Sequence, residues 1–215
     1  MADKNKIRFG LRNTHYAIVT ETTDSTTGEI TTTYGTVKPW KGSVNWTADA
    51  AGEDTPFYAD DIVYAVLNNN SGYNGTFEVA YIPEDIETDV FGKTKDATSG
   101  LVYETAKDVK KYIALLTEFQ GDDSATRYVF YRCMLSRPSI SSGTKTDSAE
   151  PTTTEVPFTV TPRPSDDELV VAHCTKEDSA YTNFYSAVQV PSFSDDSDPD
   201  PDPDPEPDQE PANNG

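Results

Sequence analysis

Short alternating apolar and polar runs, broken every few residues by Gly, Pro, Asn or Asp, predict an all-β protein: a β-sandwich or barrel-like domain with one short flanking α-helix and a disordered C-terminal tail. Three observations carry this. At least eight segments show strand patterning, against one or two with helical character. The connections between them are rich in turn residues. From Pro191 onward the chain carries nine acidic residues and no basic one, several of them alternating with proline. That composition is extended and charge-repelled and has nothing to bury.

The elements follow in order. The segment "THYAIVTETTDSTTGEITTTYGTV" has two stretches rich in β-branched and aromatic residues around "DSTTGE", and it reads as a hairpin. "PWKGSVNWTADAAGEDTPFYADD" gives a short strand near residues 42–47 and then a long loop, a length that in compact domains tends to be functional or interfacial. "IVYAVL" (62–67) is apolar at successive positions, as expected of a strand covered on both sides, and "NNNSGYNG" is a turn whose residues tolerate positive φ. Phe77, Val79 and Tyr81 then alternate with Thr76, Glu78 and Ala80 in a half-buried strand that Pro83 ends. "EDIETDVFG" is a short helix, acidic at its front and stopped at Gly92, with Ile86, Val90 and Phe91 as its packing residues. "YIALLTEF" and "TRYVFYRCML" pair across "QGDDSA"; "TTTEVPFTVTP" alternates Val156, Phe158 and Val160, with Pro157 favouring an edge or irregular place; "LVVAHC" is a further short strand. "KEDSAYTNFYSAVQV" suits a short helix or turn before a last extended piece.

The net charge of −20 divides into −9 from the tail and −11 from residues 1–190, so the body is acidic as well. Such a surface repels polyanions, which disfavours binding to nucleic acid or anionic lipid. No apolar run suits a signal peptide or a membrane span, and a soluble cytoplasmic product without membrane anchor is expected. Cys133 lies inside an apolar strand pattern, and both it and Cys174 are expected to be buried free thiols.

No catalytic or metal site and no cofactor is expected. His15 and His173 are the two imidazoles, and His173 with Cys174 would point to opposite faces of a strand, without the spacing of a zinc site. Nucleophile-elbow, phosphate-loop and H-E-x-x-H motifs are missing. The pairs Asp60/Asp61, Asp122/Asp123 and Asp166/Asp167 read as solvated turns. Trp40, Trp46, Phe57 and Tyr58 cluster around the long loop, where core packing and an interface remain alternatives. A carbohydrate-binding or adhesive β-sandwich is one class that these aromatics and the Asn-rich turn would suit.

Three stretches in their order, "IRFGLRNTHYAIVTE", "FYADDIVYAVLNNNSGYNGTFEVAYIPEDIETDVFG" and "SRPSISSGTKTDSAEPTTTEVPFTVTPRP", with "YTNFYSAVQVP" near the end of the body, resemble the major tail tube protein of long, non-contractile-tailed bacteriophages. The resemblance spans nearly all of residues 7–191. It implies a β domain over residues 1–190 that assembles as hexameric rings stacked into a hollow virion tube, with residues 191–215 as an appended tail. It also implies that residues 2–12 form an N-terminal arm and residues 45–61 an inter-ring loop, with Trp46, Phe57, Tyr58, Asp60 and Asp61 as interface residues. The implied partners are other copies of the chain, a tape measure protein in the lumen, and tail tip and tail terminator proteins, with DNA passing through without specific binding. Assembly is implied in the bacterial host cytoplasm.

Overall fold

The computed structural model describes residues 10–59, 61–121, 124–143, 151–165 and 168–192. The N-terminal arm up to residue 9, Asp60 and the acidic tail from residue 193 lie outside the described residues. The strands are β1 (Leu11–Thr23), β2 (Ile30–Tyr34), β3 (Lys38–Pro39), β4 (Ser43–Ala51), β5 (Thr55–Ala59), β6 (Ile62–Leu67) and β7 (Gly72–Val79). The helix α1 (Glu84–Asp89) follows, then β8 (Thr94–Lys95), β9 (Val102–Tyr103), β10 (Ile113–Phe119), β11 (Arg127–Leu135), β12 (Thr154–Val160) and β13 (Val171–Cys174). The fold is all-β with one short helix, as the alternating runs predict.

The main sheet is antiparallel throughout and runs β2-β1-β10-β11-β12-β7-β4, with β13 added to β11 and β3 to β1. It curls until its ends approach. Ser43 at the start of β4 donates its hydroxyl to Thr14 Oγ1 on β1 (2.7 Å), and Trp40 N donates to Thr14 O (2.8 Å). The enclosed core holds Tyr16, Trp40, Phe77, Ile113, Leu115, Cys133, Val156 and Phe158. A second cluster lies on the other face of the β1-β10-β11 region, where Ala17, Ala114, Leu116, Val129 and Tyr131 are covered by Phe184 and the half-buried Tyr181, Tyr185 and Val188 of the C-terminal segment. β10 is therefore buried on both faces, which explains why "IALL" carries no polar position.

The helix starts at Pro83, whose fixed φ suits a helix entry, and has three carboxylates in its first turn. It ends before Gly92, whose φ of 75° is left-handed. Six residues are too few for propensity to sustain a helix in water. Packing holds it: Ile86, Val90 and Phe91 are buried in the enclosed core. The pairs Lys38–Asp89, Lys93–Glu87 and Lys95–Glu84, each at 2.6 Å, decorate its outer side and individually contribute little.

Four local expectations change. The stretch expected to be a loop from about residue 45 is strand as far as Ala51 and again from Thr55, because β4 pairs with β7 over its whole length. β7 begins at Gly72, so "GYNG" is strand and only the Asn run before it is turn. Two glycines there are required sterically: a Cβ on Gly72 would meet Val160 O at 1.9 Å, and one on Gly75 would meet Thr47 O at 2.1 Å and the Phe158 ring at 2.6 Å. β7 stops at Val79, leaving Tyr81 exposed outside the alternation. Pro157 sits inside the sheet between β7 and β11, but opposite the point where β11 has ended; its carbonyl accepts from Ser136 N (2.7 Å), so the missing donor costs little.

Candidate assembly surface

β5 and β6 form a two-stranded sheet of their own, paired with each other and with no further strand among the described residues. The hairpin grows from the end of β4 and returns at β7, so the rigid curled sheet holds both of its roots. Phe57 pairs with Ala65 and, across a bulge, Tyr58 pairs with Val63. Neighbouring residues of a strand face opposite ways, so Phe57 and Ala65 lie on one face and Tyr58 and Val63 on the other. Both faces are apolar and both are open to solvent: Tyr64 is 72% exposed, Tyr58 63% and Ile62 62%, with Phe57, Val63, Val66 and Leu67 more than half exposed. The apolar pattern of "IVYAVL" predicts cover on both sides, and the subunit supplies it on neither.

An isolated two-stranded hairpin is marginal in water, and a contiguous exposed apolar patch of this kind marks an interaction surface. The charge along this part of the chain is of one sign. Between Lys41 and Lys93 the chain has ten acidic residues and no Lys or Arg. Glu53 and Asp54 are exposed at the hairpin's root, and Asp61 is exposed at its tip with a left-handed φ of 62°.

The residues predicted from sequence divide sharply. Phe57, Tyr58 and Asp61 lie on this surface, and Asp60 falls outside the described residues. Trp46 does not share it: its ring packs on Phe158 (5.0 Å), Phe130 (5.1 Å) and Phe77 (5.7 Å) at the enclosed core. Trp40 is fully buried with them. Ile86, Val90 and Phe91 are core residues of α1. His173 is exposed and stacks on Tyr128 (5.4 Å), while Cys174 is buried; no metal-ligating cluster occurs among the described residues. Cys133 and Cys174 are both buried free thiols, and burial pushes the Cys133 pKa above the ordinary thiol value.

Sequence reasoning overlooked a polar hub at the root of the N-terminal arm. The Glu118 side chain is fully buried; Arg12 donates to its Oε1 through Nη2 (2.6 Å) and Nε (3.0 Å), while Arg127 Nε (2.9 Å) and Asn13 Nδ2 (3.1 Å) donate to its Oε2. Burial works to raise the carboxyl pKa, but the hydrogen bonds from Asn13, Arg12 and Arg127 outweigh it and hold the group below its ordinary value. Arg127 also donates to Tyr181 O (2.6 Å), and its guanidinium lies over the Tyr181 ring (3.5 Å). Glu118 thus ties the start of β1 and the C-terminal segment to the centre of the sheet. The only hint in the sequence was a carboxylate at a position where "IALLTEF" is otherwise buried.

A β-body that carries a hairpin unable to cover its own apolar faces belongs to the class of proteins that complete their surface against another molecule. The profile of the family described as "Phage tail tube protein" matches residues 43–196, which spans β4 to the end of the C-terminal segment. The chain belongs to that family and is a structural, self-assembling component of the phage tail. A search of curated proteins returned no match. No helix among the described residues is long and apolar enough to cross a membrane.

Proposed function

We propose that this chain polymerises as stacked hexameric rings into the tail tube of a long, non-contractile-tailed phage, the conduit through which DNA is ejected into the host. The observation that carries the reading is the β5–β6 hairpin, whose two apolar faces are both left open to solvent along adjacent strands. In a closed ring with further rings above and below, both faces meet neighbours and the apolar area leaves water, at roughly 25 cal/mol per Å². Phe57, Tyr58 and Asp61, with Asp60 beside them, are the proposed contacts between subunits, and the part of the 2–12 arm that precedes Leu11, where β1 begins, extends toward an adjacent ring.

The same reading assigns the partners. Copies of this chain form the wall, a tape measure protein occupies the lumen during assembly, and tail tip and terminator proteins close the two ends. Assembly takes place in the host cytoplasm. An acidic lumen lets DNA slide, because lysines and arginines there would hold phosphates. The domain ends near residue 190, and the acidic tail projects outward, where it adds charge repulsion between tubes; deletion of residues 194–215 tests this through solubility and bundling.

Of the aromatics that suit a sugar-binding surface, Trp40 is buried and Trp46 packs partly buried against the core, while Phe57 and Tyr58 stay exposed on the hairpin, where the tube reading also needs them. Negative-stain electron microscopy of the concentrated chain tests the main reading. Hollow tubes or stacked rings are the expected result. Monomeric particles that stay monomeric when tail tip and tape measure proteins are added would overturn it.

A further inference from the structure

The hairpin has edges as well as faces. Each of β5 and β6 has one edge with no ladder partner among the described residues, and a strand added there would satisfy backbone groups now left to water. The added strand must tolerate an acidic neighbourhood, because Glu53 and Asp54 at the root and Asp61 at the tip are exposed and no Lys or Arg lies between Lys41 and Lys93. Six cations of the body, Lys38, Lys93, Lys95, Arg127, Arg132 and Arg137, are held in ion pairs within the subunit.

One segment has the complementary chemistry. Residues 4–9 read "KNKIRF", so Lys4, Lys6 and Arg8 alternate with Asn5, Ile7 and Phe9, and no acidic residue interrupts them. Period-two alternation is the pattern of a strand with one cationic side and one largely apolar side. The structure fixes where this segment begins. Gln120 N donates to Gly10 O (2.9 Å), Leu11 pairs with Phe119, and Glu118 holds Arg12 and Asn13. From that anchored point a nine-residue chain can reach at most roughly 30 Å, enough to leave the subunit.

We infer that residues 4–9 of one copy add as a third strand to the β5–β6 hairpin of a second copy, with Lys4, Lys6 and Arg8 facing its acidic rim and Ile7 and Phe9 covering part of its apolar surface. This is strand addition, in which main-chain hydrogen bonds supply affinity and the side chains supply register. The inference rests on self-assembly for the supply of a neighbouring hairpin, and it names what that hairpin binds. It also accounts for the position of the Glu118 hub: an arm that docks on another molecule transmits register only if its root is held firmly.

The test uses full-length chains and inter-copy cross-linking. A tagged Ile7→Cys chain is mixed with an untagged Tyr58→Cys chain under mild oxidation; the native thiols, being buried, do not compete. A disulfide-linked pair of the two different chains is expected. A disulfide that forms only within a chain carrying both substitutions would overturn the inference in favour of the chain's own arm, and tubes that form without any disulfide would overturn it outright. Charge reversal gives an independent readout: Lys4→Glu/Lys6→Glu/Arg8→Glu raises the concentration needed for assembly at least about tenfold, and Asp54→Lys/Asp61→Lys in the same chain restores it. Unchanged assembly of the triple variant counts against the inference. Tube formation by the unaltered chain is scored separately, so tubes without arm pairing sink only this inference, and arm pairing without tubes sinks only the tube.

Discussion

β10 and β6 look alike as sequence and meet opposite fates. "IALL" in β10 and "IVYAVL" in β6 are both runs without a charged residue, yet the first is buried on both faces and the second exposed along its whole length. The difference lies in what the rest of the chain places around them. β10 is flanked by β1 and β11, roofed on one side by the enclosed core and on the other by Phe184 and its neighbours. β6 has β5 alone. An apolar run therefore specifies the need for cover but not whether that cover comes from within the chain or from another molecule.

This contrast can be broken by substitution. The largest effect on subunit stability is expected at the doubly covered strand: Leu115→Ala removes a side chain with no exposure and should cost about 2–5 kcal/mol, read from the midpoint of urea unfolding. Ile86→Ala should fall in the lower part of that range, because α1 is short and can shift to fill the space; loss of helix without loss of the sheet signal would identify α1 as a separable unit. Glu118→Gln should cost less than the roughly 3–5 kcal/mol of breaking a fully buried ion pair, since one of its partners, Arg12, has a side chain 42% exposed. Its signature is pH dependence. The folded-state pKa is lowered, so the stabilisation is complete above the unfolded carboxyl value and is lost as pH falls through the folded one. Unaltered protein should therefore lose stability below about pH 4.5 more steeply than Glu118→Gln, and parallel pH curves would remove Glu118 from this role.

The smallest effect on the subunit is expected at the hairpin. Val66→Asp should leave unfolding within about 0.5 kcal/mol of the unaltered chain, because the side chain is already in water, while abolishing assembly as followed by sedimentation. A large loss of subunit stability would mean that the hairpin is covered from within, and the contrast with β10 would fall.

Several parts of this molecule were legible in advance for local reasons. The first hairpin, the "QGDDSA" connection and the helix from Pro83 to Gly92 depend on turn chemistry, side-chain period and capping, all of which act within a dozen residues. The packing side of α1 followed from the spacing of Ile86 and Val90. Where the reading failed, a long-range partner decided. "ADAA" resembles the start of a loop until β7 lies beside it, and Trp46, for which core packing and an interface are both open from sequence, packs against Phe130 and Phe158 once the sheet curls. Glu118 gave only the hint of a carboxylate in an otherwise apolar strand, because one of its partners, Arg12, lies more than a hundred residues away.

By itself the sequence determined the class of fold, most of the strand segments outside 48–59, the one helix and the sign of the net charge, since each of these follows from side-chain chemistry and short-range geometry. Only the tertiary structure decided that the sheet closes on a core containing Trp40 with Trp46 packed against it, that β10 is roofed on both sides, and that the hairpin at 55–67 is left bare. Burial is a property of how distant segments meet, and an apolar residue carries the same preference whether its own chain satisfies it or leaves it for a neighbour.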